Sequence, residues 1–315
     1  MPTGLRGAVA CVAALFLASL ACAAESRVKI ALTFDDLPVN GSLPAGVTES
    51  QIARETLVVL KKHRIPPSYG FINAAKLERN PDAAAALQLW VNAGHPLANH
   101  TYTHLDLHKN SAEDFAREIL RNEPALELLM PASGKVGATH AFRWFRYPYL
   151  HEGDTLEKRR AVRAFLAANQ YQVAETTLDY EDYLWNSAYA RCVDRHDAAS
   201  IRWLHESYLS TADEWLRVQR DLARQVYGRD ISHVLLLHLG AYSARILPDL
   251  FALLEKRGYE IVTLEEAQSD PVYAEDPDFA VPGGGTLIEH VVEKRGLSWP
   301  AVTPKPREKL QTICQ

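Results

Sequence analysis

Between residues 28 and 265, short apolar runs alternate with amphipathic stretches, and this alternation restricts the fold more than any other feature of the chain. The runs 28–34 (VKIALTF), 69–73 (YGFIN), 96–99 (PLAN), 142–147 (FRWFRY), 171–177 (YQVAETT), 233–238 (HVLLLH) and 259–264 (YEIVTL) read as strands. Helical patterns lie at about 49–63, 81–93, 111–130, 155–169, 211–227 and 247–257. Thr48 or Ser50 is placed to cap the first, and Gly94 and Gly258 follow the second and the last. Strands that alternate with helices pair in parallel, with the helices packed outside. Seven strands and about six helices therefore predict an α/β fold with one parallel sheet, open or closed, and suit a (β/α) barrel one unit short of eight. The stretch between about 183 and 230 is longer than one crossover requires.

The two ends of the chain differ from this pattern. Arg6 is followed by an uncharged, alanine-rich run from Ala8 to Ala24, and Ala21-Cys22-Ala23 fits a small-residue cleavage site. Residues 1–23 are read as a signal peptide, which predicts an exported protein, periplasmic or secreted. Acylation of Cys22 is the lesser alternative, because Ser19-Leu20-Ala21 fits that signal poorly. No later run reaches the ~18 apolar residues of a membrane span, so no integral span is expected in the mature chain. After cleavage Cys192 and Cys314 remain, either paired in an oxidising compartment or as two unrelated thiols. Beyond about 268, turn-rich "PVYAEDPDFAVPGGG", a helix-like "TLIEHVVEKRG" and a proline-broken tail read as an extension, 269–315, packed on the domain formed by residues 24–268. A net charge of −5, with no long run of one sign, argues against a nucleic-acid partner.

In parallel α/β proteins functional groups gather where strands end. The first strand runs into Asp35 and Asp36, and the third into His100 and His104. The fourth ends at Arg146, the fifth is followed by Asp179 and Asp182, and the sixth ends at His238. Each has a bland explanation alone: a turn aspartate, a surface histidine (the chain has 12), a core histidine. Together, two histidines and a carboxylate form a common site for zinc or a similar divalent ion. The remaining aspartates, arginine and histidine supply acid–base chemistry.

In these motifs the chain resembles the polysaccharide deacetylases of carbohydrate esterase family four. The order is "TFDDL", "HTYTH", "RYPY", "DYEDY" and "LLH", spanning roughly residues 28–265. Each motif alone is weak to moderate, and the five in order are specific. Leu37 and Leu150 stand where the family usually has glycine, and Tyr183 where it has tryptophan. The resemblance implies a single catalytic domain, a distorted (β/α) barrel of about seven strands. It also implies one divalent metal, zinc first and cobalt, nickel or manganese after it, held by Asp36, His100 and His104. Asp35 would be the base, His238 the acid and the backbone N–H of Tyr149 an oxyanion donor. Arg146 would orient Asp35. Asp182 is preferred over Asp179 as the partner of His238. The implied substrate is an acetylated carbohydrate, whose N-acetylglucosamine units lose acetate. Two alternatives are hydrolysis of O-acetyl esters or non-sugar amides on the same fold, and an inactive carbohydrate-binding module.

Overall fold

The structure is a computed structural model and describes Met1, residues 27–130 and residues 143–315. The expected signal peptide lies outside the described residues. All seven expected strands are present: β1 (Val28–Leu37), β2 (Gly70–Ile72), β3 (Leu97–Asn99), β4 (Trp144–Phe145), β5 (Gln172–Val173), β6 (His233–His238) and β7 (Tyr259–Val262). The six expected helices are α1 (Glu49–Lys62), α3 (Pro81–Asn92), α4 (Ala112–Leu129), α5 (Leu156–Ala168), α7 (Ala198–Tyr227) and α8 (Ser243–Lys256), with the short α2 (Ala75–Arg79) preceding α3. The long stretch after residue 183 holds α6 (Leu184–Asp194) and the whole of α7, which begins well before the expected 211. Three further helices are α9 (Leu264–Gln268), α10 (Leu287–Lys294) and α11 (Arg307–Thr312).

Every strand pair is parallel, in the order β5-β4-β3-β2-β1-β6, with β7 also on β1. Leu178, beyond β5, bridges Leu235 of β6 and joins the two edges into an irregular ring, the distorted (β/α) barrel expected. β4 and β5 are shorter than their apolar runs. Beyond Phe145 the chain turns toward Pro148, which has no N–H to give a ladder.

Strand alternation sorts the side chains. Ile30, Leu32 and Phe34 face the helices, where Phe34 meets Trp90 edge-on at 5.3 Å. Ala31, Phe71, Ala98, Ala174 and Val234 pack together within the ring. Each large apolar side chain so buried contributes roughly 1.5–3 kcal/mol. By the same alternation Thr33 and Asp35 share the face of Ala31, so an acid stands at the carboxyl end of the ring's interior.

Residues 269–315 pack on the barrel's helices. Leu287, Ile288 and Val291 meet Val218 and Leu222 of α7. Leu310 is buried in the main core, and Arg191 donates to the carbonyls of Leu310 (2.6 Å), Gln311 (3.2 Å) and Ile313 (3.1 Å). Cys192 and Cys314 form a disulfide. No helix among the described residues is long and apolar enough to cross a membrane. The disulfide joins positions 122 residues apart. Replacing both cysteines with serine is therefore expected to remove about 2–5 kcal/mol of stability, measured by urea unfolding under oxidising conditions.

Candidate active site

Adjacent residues of a regular strand point to opposite faces, so Asp35 and Asp36 cannot both face one site on regular geometry. The register of β1 against β2 shifts between Phe34 and Leu37, and Asp36 adopts φ 63°. This bulge turns the second aspartate to the same side as the first. The same device recurs around the pocket: Thr101, His104, Tyr149, Leu150 and Glu181 also have positive φ. Six of the eleven non-glycine residues with positive φ among the described residues thus surround one site, each costing about 1–3 kcal/mol. Leu150, at φ 55°, occupies the left-handed conformation that the glycine usual at that position adopts freely.

Asp36, His100 and His104 converge. Asp36 Oδ1 lies 3.3 Å from His104 Nε2 and 3.8 Å from His100 Nε2, and it is buried with no hydrogen-bond partner. His100 Nδ1 is 2.8 Å from the carbonyl oxygen of Arg146 and must donate to it, leaving a lone pair on Nε2. Burial pulls His100 and His104 down to about 4, so both are neutral near pH 7. Burial pushes Asp36 up, but Lys76, His104, His238 and His100 together outweigh it and hold the carboxyl well below the usual range. The three ligand atoms form a group able to hold a metal ion.

Asp35 sits beside this group, 2% exposed. Its nearest cation is Arg146, with Nη1 3.4 Å from both carboxylate oxygens. Burial raises Asp35 and Arg146 restrains the rise. Arg146 is itself fixed by Nε on the Ala174 carbonyl (2.6 Å), Nη2 on Thr33 Oγ1 (3.2 Å) and the face of Phe71 (4.7 Å). One residue thereby orients both Asp35, through its guanidinium, and His100, through its carbonyl.

Across the pocket His238 Nδ1 is 2.7 Å from Asp182 Oδ1, and the His238 backbone N–H donates to Asp182 Oδ2 at 2.9 Å. Burial opposes charge on His238, yet Asp182, then Asp36 and Asp35, raise it to about 9. Asp179 lines the pocket but accepts the Glu181 N–H at 2.7 Å, shaping the loop. The structure brings Asp182, and not Asp179, against His238. Two exposed tyrosines flank the site, Tyr149 with its ring 4.4 Å from His104 and Tyr183 with its ring 5.2 Å from His238.

Several supporting residues escaped the sequence reading. Lys76 Nζ donates to the carbonyls of Asp36 (2.5 Å) and Val39 (3.1 Å), and Asn40 Nδ2 to Asp36 Oδ2 (2.8 Å). Asn73 donates to the carbonyls of His100 (2.7 Å) and Thr101 (3.1 Å). Asn122 joins Ile72, Ala74 and Asn99. Asn73 and Asn99 stand at strand ends, as the aspartates do, but carry no charge that marks them in the sequence. A second cluster, Asp106, His108 and His151, has His151 Nδ1 2.7 Å from Asp106 and its ring stacked on His108 at 3.9 Å, 2° from parallel. The Asp106–His151 contact and the stacked rings brace this loop.

A family model for polysaccharide deacetylase matches residues 23–171. Over that segment, just under half of its length, the chain is similar to this family. It is 31% identical over 143 residues to a chitooligosaccharide deacetylase of Sinorhizobium fredii, covering 45% of this chain and 56% of that one. To a peptidoglycan-N-acetylglucosamine deacetylase of Bacillus cereus it is 24% identical over 163 residues, covering 52% and 49%. The matches span about half the length of these curated relatives. The fold is similar to the chitin deacetylase structure from the fungus Colletotrichum lindemuthianum, with TM-score 0.50 and 19% identity over 77% of this chain and 88% of that chain.

Asn122→Ala strands the Ala74 N–H in the interior, while the Ile72 carbonyl keeps the His100 N–H as a donor. It is expected to cost about 1–3 kcal/mol in urea unfolding, the scale of leaving one buried group unpaired.

Proposed function

We propose that the protein is a metal-dependent hydrolase that removes N-acetyl groups from N-acetylglucosamine-containing oligo- or polysaccharides. The observation that carries this reading is Asp36 Oδ1, buried without a donor and facing the Nε2 atoms of two neutral imidazoles. Converging acceptors repel unless a cation lies among them. Asp36, His100 and His104 are the proposed holders of one divalent ion. Zinc suits two imidazoles and a carboxylate best, and cobalt, nickel and manganese accept the same donors. Such an ion, when bound, lowers the pKa of water toward about 7 and polarises a carbonyl.

The chain's own residues account for the proton movements. Asp35 is the proposed base: burial gives it affinity for the proton of the attacking water, and Arg146 keeps it ionised until then. His238 is the proposed acid. Its Nδ1 is committed to Asp182, so the proton offered to the departing amine is on Nε2. The Tyr149 N–H is the proposed donor to the developing oxyanion. Asp182 acts through His238, and Asp179 through the shape of its loop. We assign this chemistry to residues 24–268. The disulfide and the leader-like first residues favour a protein that works in an oxidising compartment, periplasmic or secreted.

Acetate release from N-acetylglucosamine oligomers, compared with O-acetylated sugars, tests the reaction. Chelation is expected to abolish release and zinc to restore it, and undiminished turnover after metal removal contradicts the reading. Asp36→Asn should weaken metal binding at least about tenfold, the cost of about 1.4 kcal/mol. Asp35→Asn should keep the metal and lose roughly 10²–10⁴ in rate. Equal loss of metal in both variants contradicts this division of roles.

A further inference from the structure

The extension beyond residue 268 lies outside the matched family segment, and the chemistry above does not use it. It nevertheless reaches the site. Gly283 and Arg307 line the pocket that contains Asp35, Asp36, His104 and His238, a cavity of about 580 Å³. The extension meets the pocket at two opposed loops. Next to Gly283, Gly284 approaches so closely that a Cβ there would lie 2.5 Å from His151 Cδ2 and 3.1 Å from the Leu150 carbonyl oxygen. Its φ of +68° adds a second reason for glycine. On the other side Lys305 Nζ is 2.9 Å from Glu181 Oε1, and Arg307 pairs with the same carboxylate. Glu181 lies in the Asp179–Tyr183 loop, and its own backbone is left-handed.

These contacts are held from behind. Lys305 is largely buried and lies over the Trp215 ring at 4.0 Å. Leu310, the Arg191 bonds and the Cys192–Cys314 disulfide fix the segment that follows Arg307. The extension is thus a built wall joining the loop of Tyr149 and Leu150 to the loop of Asp179 and Tyr183. A mid-chain unit of a long polysaccharide needs a groove that continues on both sides. A cavity of 580 Å³ falls within the roughly 300–1,000 Å³ that encloses one small ligand.

On the reading given under Proposed function, we propose that the C-terminal extension makes this a deacetylase of short acetamido oligosaccharides and chain ends, selecting against the interior units of polymers. The wall acts by exclusion, and Lys305, Arg307 and the glycine turn are its specificity-determining residues.

The test uses the full mature chain, loaded with zinc, on N-acetylglucosamine oligomers of two to six units and on a soluble N-acetylated polymer. Acetate release gives rates, and mass spectrometry of the hexamer product locates the deacetylated unit. The wild type is expected to modify one terminal unit and to release acetate from the polymer at least about tenfold more slowly per unit, within the discrimination a shaped pocket supplies. Lys305→Ala/Arg307→Ala, which frees the Glu181 loop, is expected to raise the polymer-to-dimer rate ratio. That ratio is read within one variant, so a general loss of activity does not imitate the effect. Interior deacetylation, or equal rates on polymer and dimer by the wild type, overturns the wall while leaving the deacetylase reading intact. No acetate from any N-acetylated sugar overturns both. If the double variant does not fold, the wild-type product map alone decides.

Discussion

The mutual repulsion of acceptors at the carboxyl end of β1 is the constraint around which the rest of this molecule is arranged. Asp35, Asp36 and the lone-pair nitrogens of His100 and His104 gather at the floor of the pocket, where Asp35 and His100 are almost wholly buried and Asp36 and His104 only partly exposed. Like charges so placed are expensive to hold together. Arg146 faces Asp35, and Lys76 and Asn40 hold Asp36 from its backbone and its second oxygen. None of these groups faces Asp36 Oδ1, the position at which we propose that a cation binds.

Geometry serves the same end. A bulge in β1 brings two neighbouring aspartates to one side, and left-handed residues aim the loops after β3, β4 and β5 inward. Such conformations persist only where the surroundings over-determine them. Here the surroundings are buried amides. Asn73, Asn99 and Asn122 bind the His100 carbonyl, the Thr101 N–H and the Ala74 N–H, which the loops leave without a strand partner. Arg146 ties Asp35 and His100 into one unit, so a change there disturbs both.

Much of this was legible in the chain. The seven strands could be read because parallel buried strands are continuous apolar runs bounded by turn residues. β4 and β5 were overestimated, since an apolar run does not reveal where Pro148 and the site pull the backbone off the ladder. The site's ionisable residues were legible because they stand at strand ends in a fixed order. The asparagines and Lys76 were not, because neutral amides and a lone lysine carry no pattern of their own. α6 was missed because it has no side-chain cap, and the first half of α7 because charged and apolar residues mix there, although Asp197 caps it by accepting the Ser200 N–H. The Cys192–Cys314 pairing had two readings because sequence holds no distance between positions 122 apart; the fold supplies it by docking α11 on α6.

The central claim is that Asp36, His100 and His104 surround a cation. X-ray absorption at the zinc edge of the purified protein tests it without reference to turnover. The account predicts one zinc per chain with two imidazole nitrogens and carboxylate oxygen at about 2.0–2.2 Å, and loss of that signature in His104→Ala. A protein that takes up no divalent ion, or whose bound ion keeps its spectrum unchanged when His104 is removed, would contradict it.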